Sequence, residues 1–197
     1  MDFRNSQTRI NLMRAFAGES QARNRYTFAK QAALEQNLYV ISEVFRFTAK
    51  QEEQHAKIFY ELMKEASGEK ITIDADYPVE VTDNIMMLLE SSVRNEHEEY
   101  AEAYPAFASI ARDEGFQKAA SEFQLIAEIE NCHQKRFEYY AELMRTEKLF
   151  KDNAPQRWLC LNCGHIHEST EAPFQCPVCG KNQGYFIREA EAPFTRS

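Results

Sequence analysis

No stretch of this sequence approaches the roughly 20 consecutive apolar residues of a membrane-crossing helix. Its first residues, Met1 to Thr8, are polar where a secretory signal would carry an apolar core. No membrane partner is expected, and the chain is expected in the cytoplasm. Basic residues are in the minority, 23 Lys and Arg against 31 Asp and Glu, for a formal net charge of -8. That balance excludes nucleic acid, since binding phosphate needs a basic footprint that displaces counterions. Glycine and proline are scarce at 6 each, and between Ser6 and Thr146 only Pro78 and Pro105 interrupt the chain. A turn-rich β fold is thereby disfavoured over that span. The 5 cysteines do not read as a disulfide framework: four form two Cys-x-x-Cys pairs and Cys132 stands alone. This usage suits metal binding in a reducing compartment.

What is present is a globular balance, 44% hydrophobic and 27% charged over 197 residues, enough for one well-buried domain and a small module. Apolar residues recur at helical spacing and predict four long helices, approximately Ser6 to Glu35, Tyr39 to Ser67, Val81 to Asp113 and Phe116 to Lys148. Gln36-Asn37 and Gly115 fit short turns, whereas Gly68 to Glu80 is a long crossover between the second and third helices. Pro105 lies within the third helix, where a kink is expected after Ala101. The expected division is a bundle over 1–148, a linker over 149–155 containing Asp152, Asn153 and Pro155, and a cysteine module over 156–197. That last segment is too short to be held by core burial alone and needs a staple.

The inward stripes of the helices are interrupted by ionisable residues. The second reads Ile41, Phe45, Thr48, Glu52, His55, Phe59, Leu62, and the fourth reads Ala119, Phe123, Ile126, Glu130, His133, Phe137, Tyr140. The first gives Leu12, Phe16, Glu19, Arg23, Tyr26, and the third Ile85, Leu89, Glu96, Glu99, Ala103. Glu19 precedes Glu52 by nearly the interval at which Glu96 precedes Glu130, so the halves form a pseudo-twofold helix-pair repeat. An inward carboxylate carries a heavy desolvation penalty, and several together repel one another. A pair of divalent cations removes both costs, and glutamate oxygen with neutral imidazole suits iron or manganese. A single inward Glu or Glu-x-x-His would mean little, since most helical glutamates face solvent; two such motifs, each following a lone Glu on an apolar stripe, are specific. Glu53, Glu98, Glu102 and Glu128 are assigned to solvent or to the surroundings of the ligands. Glu99 has no counterpart in the first helix, where Ala22 stands, and adds a ligand one turn beyond Glu96. Tyr26 and Tyr104 lie two turns from Glu19 and Glu96, where a phenol either packs or hydrogen-bonds a ligand carboxylate. Cys132 is expected to be buried between helices.

Cys160-Leu161-Asn162-Cys163-Gly164 and Cys176-Pro177-Val178-Cys179-Gly180 form two knuckles. Four sulfurs suit tetrahedral zinc or iron, and spacing does not choose between them. His165 and His167 sit beside a site that four cysteines already close.

In the order of these two sites the chain resembles the rubrerythrins. Ala15-Phe16-Ala17-Gly18-Glu19-Ser20-Gln21-Ala22-Arg23-Asn24-Arg25-Tyr26 is similar to that family's first helix, and Tyr104-Pro105-Ala106-Phe107-Ala108-Ser109-Ile110-Ala111-Arg112 to its third. The resemblance implies an all-α ferritin-like four-helix bundle followed by a small rubredoxin-like β module. It implies a two-iron site held by Glu19, Glu52, His55, Glu96, Glu99, Glu130 and His133, with Glu52 and Glu130 bridging and one iron moving between His55 and Glu99. It implies iron at Cys160, Cys163, Cys176 and Cys179, with zinc as a possible substitute. The activity implied is peroxidase chemistry in oxidative-stress defence: hydrogen peroxide is reduced to water, with electrons relayed through the cysteine centre. His55, Glu99, Tyr26 and Tyr104 would serve the chemistry, the tyrosines as hydrogen-bond donors. The implied partners are an electron-donating reductase or rubredoxin, fed indirectly from NADH, and a second copy in a homodimer or higher oligomer. Two other readings share parts of this pattern: a ferritin-like iron-oxidising storage protein, and a zinc-stapled scaffold with an inactive bundle.

Overall fold

The computed structural model describes residues 2–193, so residues 194–197 of the expected cysteine module lie outside the described residues. Five α-helices and a three-stranded sheet follow in chain order: α1 (Gln7–Glu35), α2 (Tyr39–Leu62), α3 (Ile85–Glu98), α4 (Tyr104–Asp113), α5 (Gln117–Arg145), β1 (Lys151–Cys160), β2 (Ile166–Glu171) and β3 (Phe186–Arg188). Helix α1 packs on α2, and α3 with α4 packs on α5, so the two helix pairs of the repeat face each other.

The ends of the helices have local causes. Ser6 caps α1, its hydroxyl accepting from Arg9 N at 3.1 Å, and Glu114 reaches across to accept from Gln7 N and Thr8 N. Asn84 caps α3 by accepting from Met87 N, so the helix starts at Ile85 and not at Val81, which is exposed in the crossover. Helix α2 ends at Leu62, before the expected Ser67, and passes into a short 3-10 turn over Lys64–Ala66. Near Pro105 the expected kink takes another form. Residues Glu99–Ala103 make a π-helical turn, and Pro105 falls in the first turn of α4, where its missing N–H costs nothing.

Two apolar layers bracket the middle of the bundle. Tyr26, Phe45 and Phe137 pack together on one side, with ring centroids 5.0 to 6.0 Å apart. Tyr104, Phe59 and Phe123 form the matching layer on the other side, at 5.0 to 6.0 Å. Between them lie the ionisable residues of the stripes. Arg23 departs from its stripe: it is exposed and pairs with Glu53 at 3.6 Å. Glu53, Glu98, Glu102 and Glu128 are exposed.

The sheet runs β2-β1-β3, antiparallel throughout, with Trp158 opposite His167 and Arg188. Strand β1 starts at Lys151, so the segment 149–155 is not a free linker. Leu149 is buried against the bundle, and the register of β1 on β2 breaks between Lys151 and Gln156, around Pro155. The module docks on the α1–α2 turn. Asn182 Nδ2 donates to Asn37 Oδ1 at 2.9 Å, and the Tyr185 ring stacks on Tyr39 with centroids 4.0 Å apart.

Candidate metal centres

Each helix pair delivers its ligands from mid-length, and the side chains meet between the aromatic layers. Glu19, Glu52, His55 and Glu130 bring one donor atom each within 4.8 Å of one another; Glu52, Glu96, Glu130 and His133 do the same. Glu52 and Glu130 belong to both groups, which is what two bridging carboxylates require. Burial is nearly complete: Glu19, Glu130 and His133 are 0% exposed, Glu52 and Glu96 1%, and His55 4%. His55 Nδ1 stands 2.8 Å from Glu130 and 3.1 Å from Glu52, and His133 Nδ1 stands 2.7 Å from Glu130 and 3.0 Å from Glu52.

The fit of metal ions rests on which atoms lack partners. Glu19 Oε2, both oxygens of Glu52 and Glu130, Glu96 Oε2 and the Nδ1 atoms of His55 and His133 are buried without a hydrogen-bond partner. These are the atoms that face inward in the two groups. A buried interior does not tolerate so many orphaned polar atoms unless another species satisfies them. Without ions the cluster distorts its own titration. Burial and the Glu130 charge push Glu19 well above the carboxylate range, and burial with the Glu52 charge pushes Glu96 up to about 8. Burial also acts on Glu52, but the close imidazoles of His133 and His55 outweigh it and bring Glu52 down to about 2. Burial pulls His133 down, yet contacts with Glu130, Glu52 and Glu96 prevail and raise it to about 12.

Glu99 is not in either group. It opens the π-helical turn beside Gly18 and Tyr77, half-buried, with its carboxyl raised by burial first and by the Glu19 charge second. The tyrosines pair crosswise. Tyr26 of α1 donates to Glu96 of α3, and Tyr104 of α4 donates to Glu19 of α1. Burial, then the neighbouring carboxylate, raises both phenols well above their ordinary value, so each keeps its proton.

One set of supporting residues was not anticipated from the sequence. Arg136 Nη1 donates to Thr48 Oγ1 and Gln51 Oε1, both at 2.9 Å, and His133 Nε2 lies 3.1 Å from the same Gln51 oxygen. An amide oxygen only accepts, so Nε2 carries the hydrogen and Nδ1 of neutral His133 is left to a metal. The signal was the one-turn spacing of Arg136 from His133 and of Thr48 from Glu52, but both resemble ordinary rim residues. Cys132 is exposed, against expectation. With Glu130 and His133 facing inward, the position two after Glu130 points the other way round the helix.

The four cysteines converge from the two knuckles. Cys160 Sγ is 3.8 Å from Cys179 Sγ, Cys163 Sγ is 3.7 Å from Cys176 Sγ, and all are free thiols. Gly164 and Gly180 take positive φ, 77° and 72°, and donate back to Cys160 O and Cys176 O. Burial pushes the Cys160 thiol up to about 12, whereas the Lys181 N–H draws Cys179 down to about 6. A multivalent cation among them would hold all four as thiolates. His165 and His167 are half-buried beside the site, with ring centroids 6.4 Å apart.

Fold and sites define a ferritin-like diiron-carboxylate bundle joined to a four-cysteine, rubredoxin-like module. Comparison with known proteins gives the family. A family model described as Rubrerythrin matches residues 11–141, and one described as Rubrerythrin, rubredoxin-like domain matches 158–187. The chain is 41% identical to a rubrerythrin of Clostridium perfringens over 182 residues, covering 92% of this chain and 93% of that one. It is 40% identical to a rubrerythrin of Nitratidesulfovibrio vulgaris over 181 residues, with 92% and 93% covered. Among solved structures, nigerythrin in a mixed-valence state aligns at TM-score 0.62 and 28% identity, covering 93% and 90%. A bacterioferritin of Desulfovibrio desulfuricans shares the fold at TM-score 0.65, 23% identity and 72% and 82% coverage. The chain belongs to the rubrerythrin family, and its two candidate sites match that family's diiron and four-cysteine iron cofactors. Among the described residues no helix is long and apolar enough to cross a membrane.

Proposed function

We propose that this protein is a peroxidase that reduces hydrogen peroxide to two water molecules, taking up two electrons and two protons. The observation that carries the reading is the set of orphaned inward donor atoms shared between two ligand groups, with a tyrosine hydroxyl on each outer carboxylate. Bound there, an iron pair supplies the two electrons, and the iron held by Cys160, Cys163, Cys176 and Cys179 restores them one at a time. The chain's own contribution is placement. Glu52 and Glu130 face both positions, Gln51 and Arg136 orient His133, and Tyr26 and Tyr104 hold protons against Glu96 and Glu19 in a dry interior. Glu99, poised outside the cluster near Glu19, is the carboxylate that would hold an iron in place of His55.

The proposed assembly is a homodimer. Tyr185 rests on Tyr39, and Glu52 lies about 20 Å further along α2 at a rise of about 1.5 Å per residue. A relay from one copy's cysteine centre to the other copy's iron pair avoids that span. The external donor is a reductase or rubredoxin drawing indirectly on NADH, in the cytoplasm, whose reducing conditions keep the four cysteines as thiols. A storage protein of ferritin type would share the bundle but has no use for the cysteine relay.

The test adds hydrogen peroxide to anaerobically reduced, iron-loaded protein and follows both chromophores. Oxidation of the iron pair, then of the cysteine centre, is the expected outcome. If neither site is oxidised, or metal analysis finds zinc at the four cysteines, the relay mechanism fails.

A further inference from the structure

The crossover between α2 and α3 is tied down over the diiron side of the bundle. The Tyr77 hydroxyl donates to Arg14 O at 2.9 Å, and Arg14 Nε donates back to Asp74 O at 3.0 Å. Beneath this strap lies a cavity of about 330 Å³, walled by α1 around Gly18 and by the α3–α4 junction around Glu99 and Tyr104. The cavity comes up to the edge of the site: among its lining residues are Tyr104, which donates to Glu19, and Glu99, whose carboxyl feels the Glu19 charge.

Gly18 leaves the wall thin at one point. A Cβ there would stand 3.7 Å from Glu99 Oε1 and 3.7 Å from Tyr77 Cε1, so the missing side chain is the gap between the strap ring and the carboxylate. Two other lining residues, Arg25 and Asn95, hold buried donors, Nε and Nδ2, with no acceptor in the protein. A small guest rich in oxygen lone pairs satisfies such donors, and an apolar one does not.

We propose that this cavity is the vestibule through which the oxidant reaches the iron pair, with Tyr77 as its cover and Gly18 as its size limit. The inference rests on the peroxide-reducing reading and extends it to specificity: hydrogen peroxide enters, whereas a hydroperoxide carrying a bulky organic group is held out by the Tyr77 ring. Tyr77 is 36% exposed, so one side of the ring faces solvent while its Cε1 edge lies towards Gly18. Lifting it breaks one hydrogen bond to α1 and disturbs no buried layer of the bundle.

The experiment measures how fast azide, a small linear anion, binds to iron-loaded, oxidised protein, read from the ligand-to-metal absorption in stopped flow. Tyr77→Ala is expected to raise the azide on-rate on the order of threefold or more and to let cumene hydroperoxide oxidise the reduced protein. Tyr77→Phe, which keeps the ring, is expected to stay nearer the parent. Gly18→Ala, whose Cβ makes only ordinary contacts, is expected to fold and to lower the on-rate. Should Gly18→Ala fail to load iron, Tyr77→Ala and Tyr77→Phe decide the matter. On-rates for Tyr77→Ala indistinguishable from the parent overturn the vestibule. Azide reads access whether or not peroxide is the substrate, so intact peroxide turnover with unmoved azide rates rejects only the vestibule. Responsive azide rates with no peroxide oxidation reject only the peroxidase.

Discussion

Loading metal into the bundle should expel protons, and their number follows from the cluster. In the metal-free protein His133 is raised to about 12, and His55 is raised in the same direction by Glu130, Glu19 and Glu52 against the pull of burial. Both imidazoles are therefore protonated at pH 7, and each must lose a proton to present Nδ1 as a ligand. Two released protons make the affinity for the ion pair rise by about 2.7 kcal/mol per pH unit, twice the 1.36 kcal/mol of one proton. Glu96, raised to about 8, and Glu19, raised well above its usual range, add to that number near neutrality. The folding stability of the metal-free protein runs the other way. Groups raised in the folded state stabilise it fully below their unfolded values and lose that contribution as pH rises, between about 4.5 and 8 for Glu96 and between about 6.5 and 12 for His133. The gap in thermal stability between loaded and metal-free protein should accordingly widen with pH across 6 to 8. Anaerobic calorimetric titration with ferrous iron in buffers of different ionisation enthalpy counts the protons directly. Release of fewer than one proton per iron pair would refute the protonated cluster, and with it the claim that ions replace protons among these ligands.

Two further outcomes follow from the fold. Cys132, exposed on α5, should react with a thiol reagent in the folded, metal-loaded protein while the four module cysteines stay protected, as read by mass spectrometry after digestion. Gly184→Ala should dislodge the module, because the added Cβ would fall 1.7 Å from Asn37 O; a cost of about 1–3 kcal/mol, seen as new cleavage near Lys151 in limited proteolysis, checks it.

The candidate ligands are legible because each breaks a rule of its surroundings. Glu52 and His55, like Glu130 and His133, interrupt stripes that are otherwise apolar, and the cysteine knuckles announce themselves by spacing. What escaped was set by geometry that periodicity does not carry. A proline predicts a disturbed helix but does not say whether the chain kinks at Ala101 or widens into the π-helical turn at Glu99–Ala103. Tyr26 and Tyr104 were placed two turns along from Glu19 and Glu96, yet each bonds the other's carboxylate, because the helix pairs face one another and the nearer oxygen lies across the interface. Tyr77 lies in an irregular segment with no period to read. Cys132 lies between two inward residues in sequence, yet its own position on the helical wheel points it to solvent, as its exposure shows.

The pseudo-twofold repeat accounts for how two ions would be held, since Glu19 and Glu96, Glu52 and Glu130, and His55 and His133 are matched, as are the two aromatic layers. Symmetry alone would make the two metal positions equivalent, and an equivalent pair has no preferred side for an incoming oxidant. The structure breaks the repeat on each side differently. On the His133 side Gln51 and Arg136 clamp the imidazole, whereas the residues matching them by the repeat, Ile129 and Ile58, can make no such bond. On the His55 side stand Glu99, the π-helical turn that positions it, and the cavity beneath Tyr77. One imidazole is thus clamped by hydrogen bonds, while the other side carries a carboxylate outside both ligand groups and a cavity.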